Sequence, residues 1–567
     1  MIRGSAPTVL VVGAGINGAA LARELVLAGC DVIVTDDHDI AAGTTAWSTR
    51  LVHGGLRYLE YGEFGLVRES LAERGRLVRL APHLVAPLRF YLPVQGRLGG
   101  LASAAARFVG LETLARRLRS ARGRGSIATG IGLALYDLLA ADRGWPWHRA
   151  VRPGAAGLPA VDRRRFPRAQ TYVDAQLTYP ERLTVELLVD AAAAAAERGR
   201  MLDVRTRCRV VAVNAGAAVL RGDDGAETER RIDAVANVTG AWVDRTLADG
   251  LHGLAADDAP LVGGTKGSHL VVDHAPLREA LAGMGVYAEA ADGRPVFVLP
   301  FGPRAVLVGT TDLPWRGDPW RARAEPEEIT YLLESVARLF PAVAPGPEAV
   351  VQHYCGVRPL PATGATSPAG ITRRHLLVRH PAAPLPAWSV VGGKLTTCRS
   401  LAESAARTIL AALSRPVAGT SRRRPLPGAT EGAERAALVA RTAAAAAAVG
   451  VAPDDREAAA VATVDLFGAL APAALGEGLV EGPAILPGSP LPATVVRYCV
   501  RREWARSLAD IVERRLMLLF AIPLRRSTLA GIAAVMEADG VLPRGGAADE
   551  VARLVASLAE RYDKRVD

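Results

Sequence analysis

Apolar residues recur along this chain in two rhythms. The short unbroken runs Thr8-Val9-Leu10-Val11-Val12 and Val32-Ile33-Val34 have the length and β-branched content of buried parallel strands. Between them, Ala19 to Ala28 is a small-residue segment closed by Gly29, and it predicts a helix. Val204 to Val213 and Val235 to Gly240 repeat the strand signal. Leu270-Val271-Val272, Val296-Phe297-Val298-Leu299 and Val306-Leu307-Val308 predict a β-rich block, joined to a helix from about Pro326 to Phe340 with Pro326 in its first turn. After Arg422-Arg423-Arg424-Pro425 the chain turns alanine-rich. There Val500, Trp504, Leu508, Ile511 and Leu519 recur at helical spacing, predicting a packed helical domain.

The first strand runs into Gly13-Ala14-Gly15-Ile16-Asn17-Gly18, and the second stops at Asp36-Asp37. Gly13 permits a tight turn, Gly15 lets backbone approach a pyrophosphate, and Gly18 lets helix and strand touch. The helix N-terminus offers unpaired N–H groups to phosphate, and an acid at this distance meets a ribose hydroxyl. Glycines alone are compatible with a tight βαβ turn that binds nothing. Strand, glycines, helix, strand and acid in this order point to a dinucleotide.

At 567 residues, half of them hydrophobic, two or three domains with a large core are expected. Five cysteines (Cys30, Cys208, Cys355, Cys398, Cys499) are scattered without metal-ligand spacing, which predicts no metal site and a reducing cytoplasm. The first apolar run leads straight into the glycine fingerprint, so it does not read as a signal peptide, and no run is expected to span a membrane. The net charge of +10 is spread along the chain without a nucleic-acid motif, so a basic surface facing anionic lipid or an anionic substrate is expected. Only three of the 68 cations are lysines: Lys266, Lys394 and Lys564. Lys266 and Lys394 stand in glycine-rich turns, which marks sites where a compact ammonium fits and a planar guanidinium does not.

Between residues 44 and 61, the hydroxyls of Thr44, Thr45 and Ser48 precede His53-Gly54-Gly55-Leu56-Arg57-Tyr58. Hydroxyls there can bond phosphate oxygens, and the glycines allow close approach to a flat ring. With this segment the chain resembles the FAD-dependent, respiratory glycerol-3-phosphate dehydrogenase family. Further matches are Asn237-Val-Thr-Gly-Ala-Trp-Val243, Lys266-Gly-Ser-His269, Gly309-Thr-Thr-Asp312, Gly356-Val-Arg-Pro-Leu360, Ile371-Thr-Arg373 and Gly392-Gly-Lys-Leu-Thr-Thr397. They follow the family's order over roughly residues 8 to 410, with a weaker likeness near Tyr498 to Phe520.

The resemblance implies an α/β fold with a Rossmann-type FAD domain like those of glutathione reductase and D-amino-acid oxidase. That domain is expected in pieces, about 1–95, 150–260 and 350–415, with a substrate domain at about 261–349 and a helical domain at 421–567. It implies FAD held by Gly13 to Gly18, Asp36, Asp37, Thr44, Thr45, Ser48, Gly54, Gly55, Val210, Thr239, Gly240, Trp242 and Gly392 to Thr396. It implies oxidation of the C2 alcohol of glycerol 3-phosphate, with hydride passing to flavin N5 and electrons onward to membrane quinone. Arg57, Arg358 and Arg373 are the expected phosphate contacts. Lys394 is expected beside flavin or substrate oxygens, and Lys266 and Ser268 beside the substrate. His53 or His269 is the base, Asp312 orients a base or bonds the flavin, and Tyr58 donates to the substrate or packs. A homodimer and a peripheral place on the inner face of the membrane are compatible with it.

Two readings compete. A soluble oxidase using O2 would carry an insertion in the substrate domain, and none is evident between 261 and 349. An amino-acid or amine oxidase needs a carboxylate clamp rather than an arginine cluster. The chain also departs from its relatives. Tyr179-Pro180-Glu181-Arg182-Leu183 stands where an Asp-Asp-Ala-Arg-Leu-like run is usual, and residues 97–126 hold seven arginines against Glu112 alone. That basic stretch, with Phe108 and Leu111 at helical spacing, suits a helix on anionic lipid, a solvated loop or a helix docked on the core.

Overall fold

The first three elements form as the pattern of apolar residues predicts: β1 (Thr8–Val12), α1 (Ile16–Leu27) and β2 (Asp31–Thr35). The other elements that shape the site are α2 (Ser126–Leu139), α3 (Pro180–Arg198), β3 (Thr265–Asp273), α4 (Pro326–Leu339) and β4 (Val350–Arg358). This computed structural model describes residues 6–96, 125–140, 144–251, 259–362, 374–417, 419–430 and 432–567. The basic stretch from 97 to 124 and Ile371-Thr-Arg373 lie outside the described residues.

β1 sits inside a six-stranded sheet, parallel to β2 on one side and to Ala234–Asn237 on the other. Val9 and Val11 pack into the core under α1, while Leu10 and Val12 pack into the core on the opposite face. A strand covered on both sides has no polar face, which is why this run does not alternate. The expected strand at 204–213 divides into Leu202–Arg205 and Cys208–Asn214, with Arg207 at a φ of 52° between them.

The second sheet has ten strands and contains β3, Ala305–Gly309, Pro295–Phe301 and Gly285–Glu289. It also contains Val85–Val94 and Arg168–Leu177, paired antiparallel along their whole length. The segmentation expected from sequence placed both of these strands in the FAD domain. Hydrogen bonding instead carries them into the sheet of the substrate domain, because Gly285 and Val286 pair with Phe90 and Tyr91. β4 joins the same sheet through β3.

The C-terminal region binds to α3 and to the loop after β2 through buried ion pairs. Arg182 forks onto Glu503 at 2.7 and 2.8 Å, both side chains being fully buried, and its guanidinium lies over the Phe467 ring. Arg50 forks onto Glu181 and stacks on Phe520. Arg514 and Arg515 both reach Asp39, two residues beyond the acidic pair Asp36-Asp37. Thus the departure at Tyr179 to Leu183 has a structural use: Pro180 opens α3, and Glu181 and Arg182 face opposite partners from its first turn. The residues from Val500 to Leu519 do not form one helix. Thr494–Arg502 ends, Trp504 takes a φ of 56°, and Asp510–Arg515 is a π-turn that aims two adjacent arginines at one aspartate.

One correction concerns membrane-crossing length. Pro453–Leu475 is long and apolar enough to span by length and composition, with a mean hydropathy of 1.7. Just over half of its most apolar 18-residue window, 56%, is buried within the protein, and Gly468 breaks its helical path with a φ of 53°.

Breaking one partner of a buried pair leaves an uncompensated charge, at a cost of about 3–5 kcal/mol. Glu503→Gln is therefore expected to lower the apparent Tm and make the 421–567 region the first to be cut in limited proteolysis. Unchanged melting and an unchanged cleavage order would remove this pair from the account of domain attachment.

Candidate functional site

A long cleft crosses the C-terminal ends of the six-stranded sheet, the usual ligand position in such folds. It is lined by Gly13, Gly15, Ile16 and Asn17 at the start of α1, by Asp36, Asp37 and His38, and by Thr44, Thr45 and Ser48. Val210, Thr239, Gly240 and Trp242 line its outer wall, and Gly392, Gly393, Lys394 and Leu395 its far end. Gly18 does not line the cleft, but a Cβ on it would stand 1.9 Å from the Gly13 carbonyl oxygen. Helix and strand can approach this closely only with glycine there.

The lining fits a dinucleotide. A Cβ on Gly15 would point at Thr45 Oγ1 from 3.3 Å, inside the cradle. Ile16 N–H already donates to that hydroxyl, which anchors the turn. Asn17 Oδ1 is buried in the cleft wall without a hydrogen-bond partner, an acceptor left for a ligand donor. Asp36 accepts from the Ala14 and His38 N–H groups, and burial pushes its carboxyl up to about 7 despite those bonds. Gly392 and Gly393, with φ of 80° and 95°, turn the chain so that Gly393 abuts Asn17 and Gly392 abuts Pro359. The acidic end would take ribose, the α1 N-terminus the pyrophosphate and the Gly392 turn the flavin ring.

At the Gly392 end, Lys394 Nζ lies 3.7 Å from the centre of the Tyr58 ring. Tyr58 itself packs on Gly55, whose φ is 79°. Thr396 Oγ1 receives the His53 N–H and donates back to the His53 carbonyl, tying the two motifs together. Gly54 N–H donates to Tyr136 Oη, which donates in turn to Asp174. Burial, aided by the Lys394 charge and opposed by Asp174, lowers the His53 imidazole to about 4. Arg57 lies half-buried in the same short helical turn.

β3 pairs with β4, and strand alternation decides which of their side chains share a face. Thr265, Gly267 and His269 pair directly with Arg358, Gly356 and Tyr354 of β4. Residues directly opposite in an antiparallel pair point the same way. His269 stacks on Tyr354 and its Nε2 lies 2.9 Å from Thr49 Oγ1, while its buried Nδ1 has no partner. Burial, with the Arg358 and Arg50 charges, holds His269 well below the usual imidazole range. The Arg358 guanidinium is braced by Asp312 at 3.0 Å, by Thr310 and by the Thr311 carbonyl. Gly267 leaves the room it occupies, since a Cβ there would lie 2.2 Å from Arg358 Nη2.

Lys266 and Ser268 fall on the other face, contrary to expectation. Lys266 Nζ binds Glu328 of α4 at 2.7 Å and the Arg323 carbonyl at 3.0 Å, over the Trp315 ring. Ser268 and Thr311 donate to the same Glu328 carboxylate. An odd spacing from His269, three residues for Lys266 and one for Ser268, already excludes a common face on a strand. Thr396 and Gly54 likewise support the cleft from behind rather than line it. Sequence reading missed Trp320, which reaches into the cleft and stacks on His38 at 4.1 Å, and also Arg245 and Gly250. Trp320 lies between motifs, and nothing in its local pattern signals the role.

The family model described as FAD dependent oxidoreductase matches residues 8–378. A glycerol-3-phosphate dehydrogenase of Synechocystis sp. is 35% identical over 76% of this chain and 74% of its own length. A D-erythritol 1-phosphate dehydrogenase of Brucella abortus is 31% identical over 89% of this chain and 93% of its own. Among solved structures, the glycerol-3-phosphate dehydrogenase of Bacillus halodurans complexed with FAD covers 98% of this chain and 95% of its own, with a TM-score of 0.69 at 21% identity. On the matched model, the shared length and a cleft shaped for a dinucleotide, this chain belongs to the FAD-dependent oxidoreductase family, among the glycerol-3-phosphate dehydrogenases, with FAD as its cofactor.

Proposed function

We propose that this protein oxidises sn-glycerol 3-phosphate to dihydroxyacetone phosphate and passes the electrons to a membrane quinone. The observation that carries the reading is the common face of His269 and Arg358, which ends at Pro359 in the wall of the FAD cleft. A basic fork beside a neutral imidazole suits a phosphorylated secondary alcohol. Bound FAD accepts the two electrons that leave with the C2 hydrogen. Arg358, held by Asp312 and Thr310, grips the phosphate, with Arg57 and Arg373 as further cations. His269 takes the C2 hydroxyl proton on Nδ1, while Thr49 fixes the ring through Nε2. His53 is the alternative acceptor. Lys394 and Tyr58 hold the opposite side, where a positive charge favours electron arrival.

A longer polyol phosphate is the second reading, favoured by the D-erythritol 1-phosphate relative that this chain matches over 93% of its length. Steady-state turnover on glycerol 3-phosphate, erythritol phosphate, glycerol and glycine, each with a quinone analogue and with O2, tests the proposal. Preference for glycerol 3-phosphate and for quinone supports it. Equal use of glycerol or an amino acid overturns the phosphate assignment, and fast O2 turnover with idle quinone favours the oxidase.

The two internal lysines separate by role. Lys394→Arg is expected to cut turnover at least ~10-fold, about 1.4 kcal/mol of barrier. Lys266→Arg is expected to lower stability, because Glu328 and the Arg323 carbonyl surround a point charge, yet to leave turnover within about twofold. A reversal of these outcomes would return Lys266 to the site.

Arg358→Ala removes one cation of a phosphate cluster, at a cost of roughly 2–5 kcal/mol in kcat/KM, while FAD stays bound. Retained kcat/KM for glycerol 3-phosphate would contradict its role.

The depressed histidines set the pH dependence. A base kept neutral by burial loses no activity near pH 6.5, so kcat/KM should stay level on acidification until about pH 5. Stability has the same sign: the folded His53 titrates near 4 and an unfolded histidine near 6.5, so the unfolded chain binds more protons between them. Stability present above about pH 6.5 is lost as pH falls through that window, and His53→Gln should flatten the loss. A half-maximal kcat/KM at pH 6.5 would rule out both histidines as buried bases.

A further inference from the structure

α2 is apolar on two opposite sides. Thr129, Leu133 and Tyr136 are buried against the protein. About 180° around the helix, Ile127, Ile131 and Leu138 form a stripe at spacings of four and seven residues. They are 44%, 62% and 69% exposed, with Ala134 between them. Trp147, 60% exposed, is fixed at the end of this stripe because the neighbouring His148 binds Asp137 through both its N–H and its ring. Asp137 is the one acidic residue of the helix, so it is turned to a partner. Arg149 and Arg152 follow Trp147 and are exposed. The sequence between Gly96 and Gly125, which leads into the first turn of α2, carries seven arginines and one acid.

We infer that the outer face of α2, with Trp147 at its edge, is the surface that rests on an anionic bilayer. This deepens the quinone-linked reading and rests on it. An exposed aliphatic stripe costs free energy in water and gains it in the acyl boundary. A tryptophan at the rim with Arg149 and Arg152 behind it is the composition of an interfacial anchor that favours anionic headgroups. The same helix reaches the redox site: Tyr136 on its inner face accepts the Gly54 N–H, next to His53 and Gly55. A quinone head leaving the bilayer along this helix would meet the His53–Tyr58 wall. A second copy of this chain would bury an aliphatic stripe equally well but has no need of flanking arginines.

The test uses FAD-loaded full-length protein and the double variant Ile131→Glu/Leu138→Glu, both changes being at exposed positions. Sedimentation with vesicles of phosphatidylglycerol and phosphatidylcholine, and of phosphatidylcholine alone, is read beside the sedimentation-equilibrium mass. The expected result is wild-type binding to anionic vesicles that weakens with salt, and at least ~10-fold weaker binding of the variant. Turnover with a water-soluble acceptor should stay within about twofold, while turnover with vesicle-borne quinone falls with binding. Equal vesicle binding by both proteins overturns this surface and leaves the quinone reading standing. Absence of wild-type binding to either vesicle overturns this surface and the membrane part of the reading together. A wild-type dimer converted to monomer, with vesicle binding unchanged, makes the stripe an interface between copies and overturns the inference.

Discussion

The two-residue alternation of β3 is the constraint on which the site depends. Thr265, Gly267 and His269 share a face with Tyr354 and Arg358, and Lys266 and Ser268 share the other with Glu328. A slip of β3 by one residue would turn Thr265, Gly267 and His269 toward α4 and bring Lys266 and Ser268 to the face of Arg358. The Lys266–Glu328 pair opposes that slip. Glu328 collects Lys266, Ser268 and Thr311 while closing the first turn of α4, so α4 is fixed to the strand at the same point. Burial lowers the Lys266 affinity for its proton, but the Glu328 hydrogen bond and charge more than restore it. A structural lysine thus sets the face on which His269, the proposed base, stands.

A second coupling runs from the C-terminal helices to the nucleotide end of the cleft. Arg514 and Arg515 converge on Asp39, close in sequence to Asp36 and Asp37, and Arg561 lies over Trp320, which stacks on His38. The loop that would meet ribose is therefore backed by the helical domain. Any loosening of that domain reaches the cofactor cleft through Asp39 and Trp320. Among the described residues, none of the C-terminal helices lines the cleft at Lys394. Their contribution is to hold the cofactor loops.

Local patterns carried the nucleotide half of the molecule. β1, the glycines and β2 are contiguous, and each uses a rule that acts within about 30 residues. The substrate sheet was legible in its central strands and illegible at its edges. Val85–Val94 and Arg168–Leu177 fell within pieces assigned to the FAD domain, and only pairing with each other and with Gly285–Glu289 shows which sheet they join. Lys266 and Ser268 were misplaced for a different reason: motif adjacency suggested a shared site, while strand geometry separates neighbours. The scarcity of lysine drew attention to Lys266 and Lys394, and Lys266 has a structural partner in Glu328. Trp320 was invisible because its partner His38 is nearly 300 residues away.

The central claim is that His269 and Arg358 face the substrate together while Lys266 does not. A crystal structure of the FAD-loaded protein with a phosphorylated three-carbon alcohol bound tests this most directly. The account predicts phosphate oxygens within hydrogen-bond distance of the Arg358 guanidinium, the C2 oxygen within reach of His269 Nδ1, and an intact Lys266–Glu328 pair. Phosphate bound at Lys266, with Glu328 displaced and Arg358 still held by Asp312 alone, would contradict it.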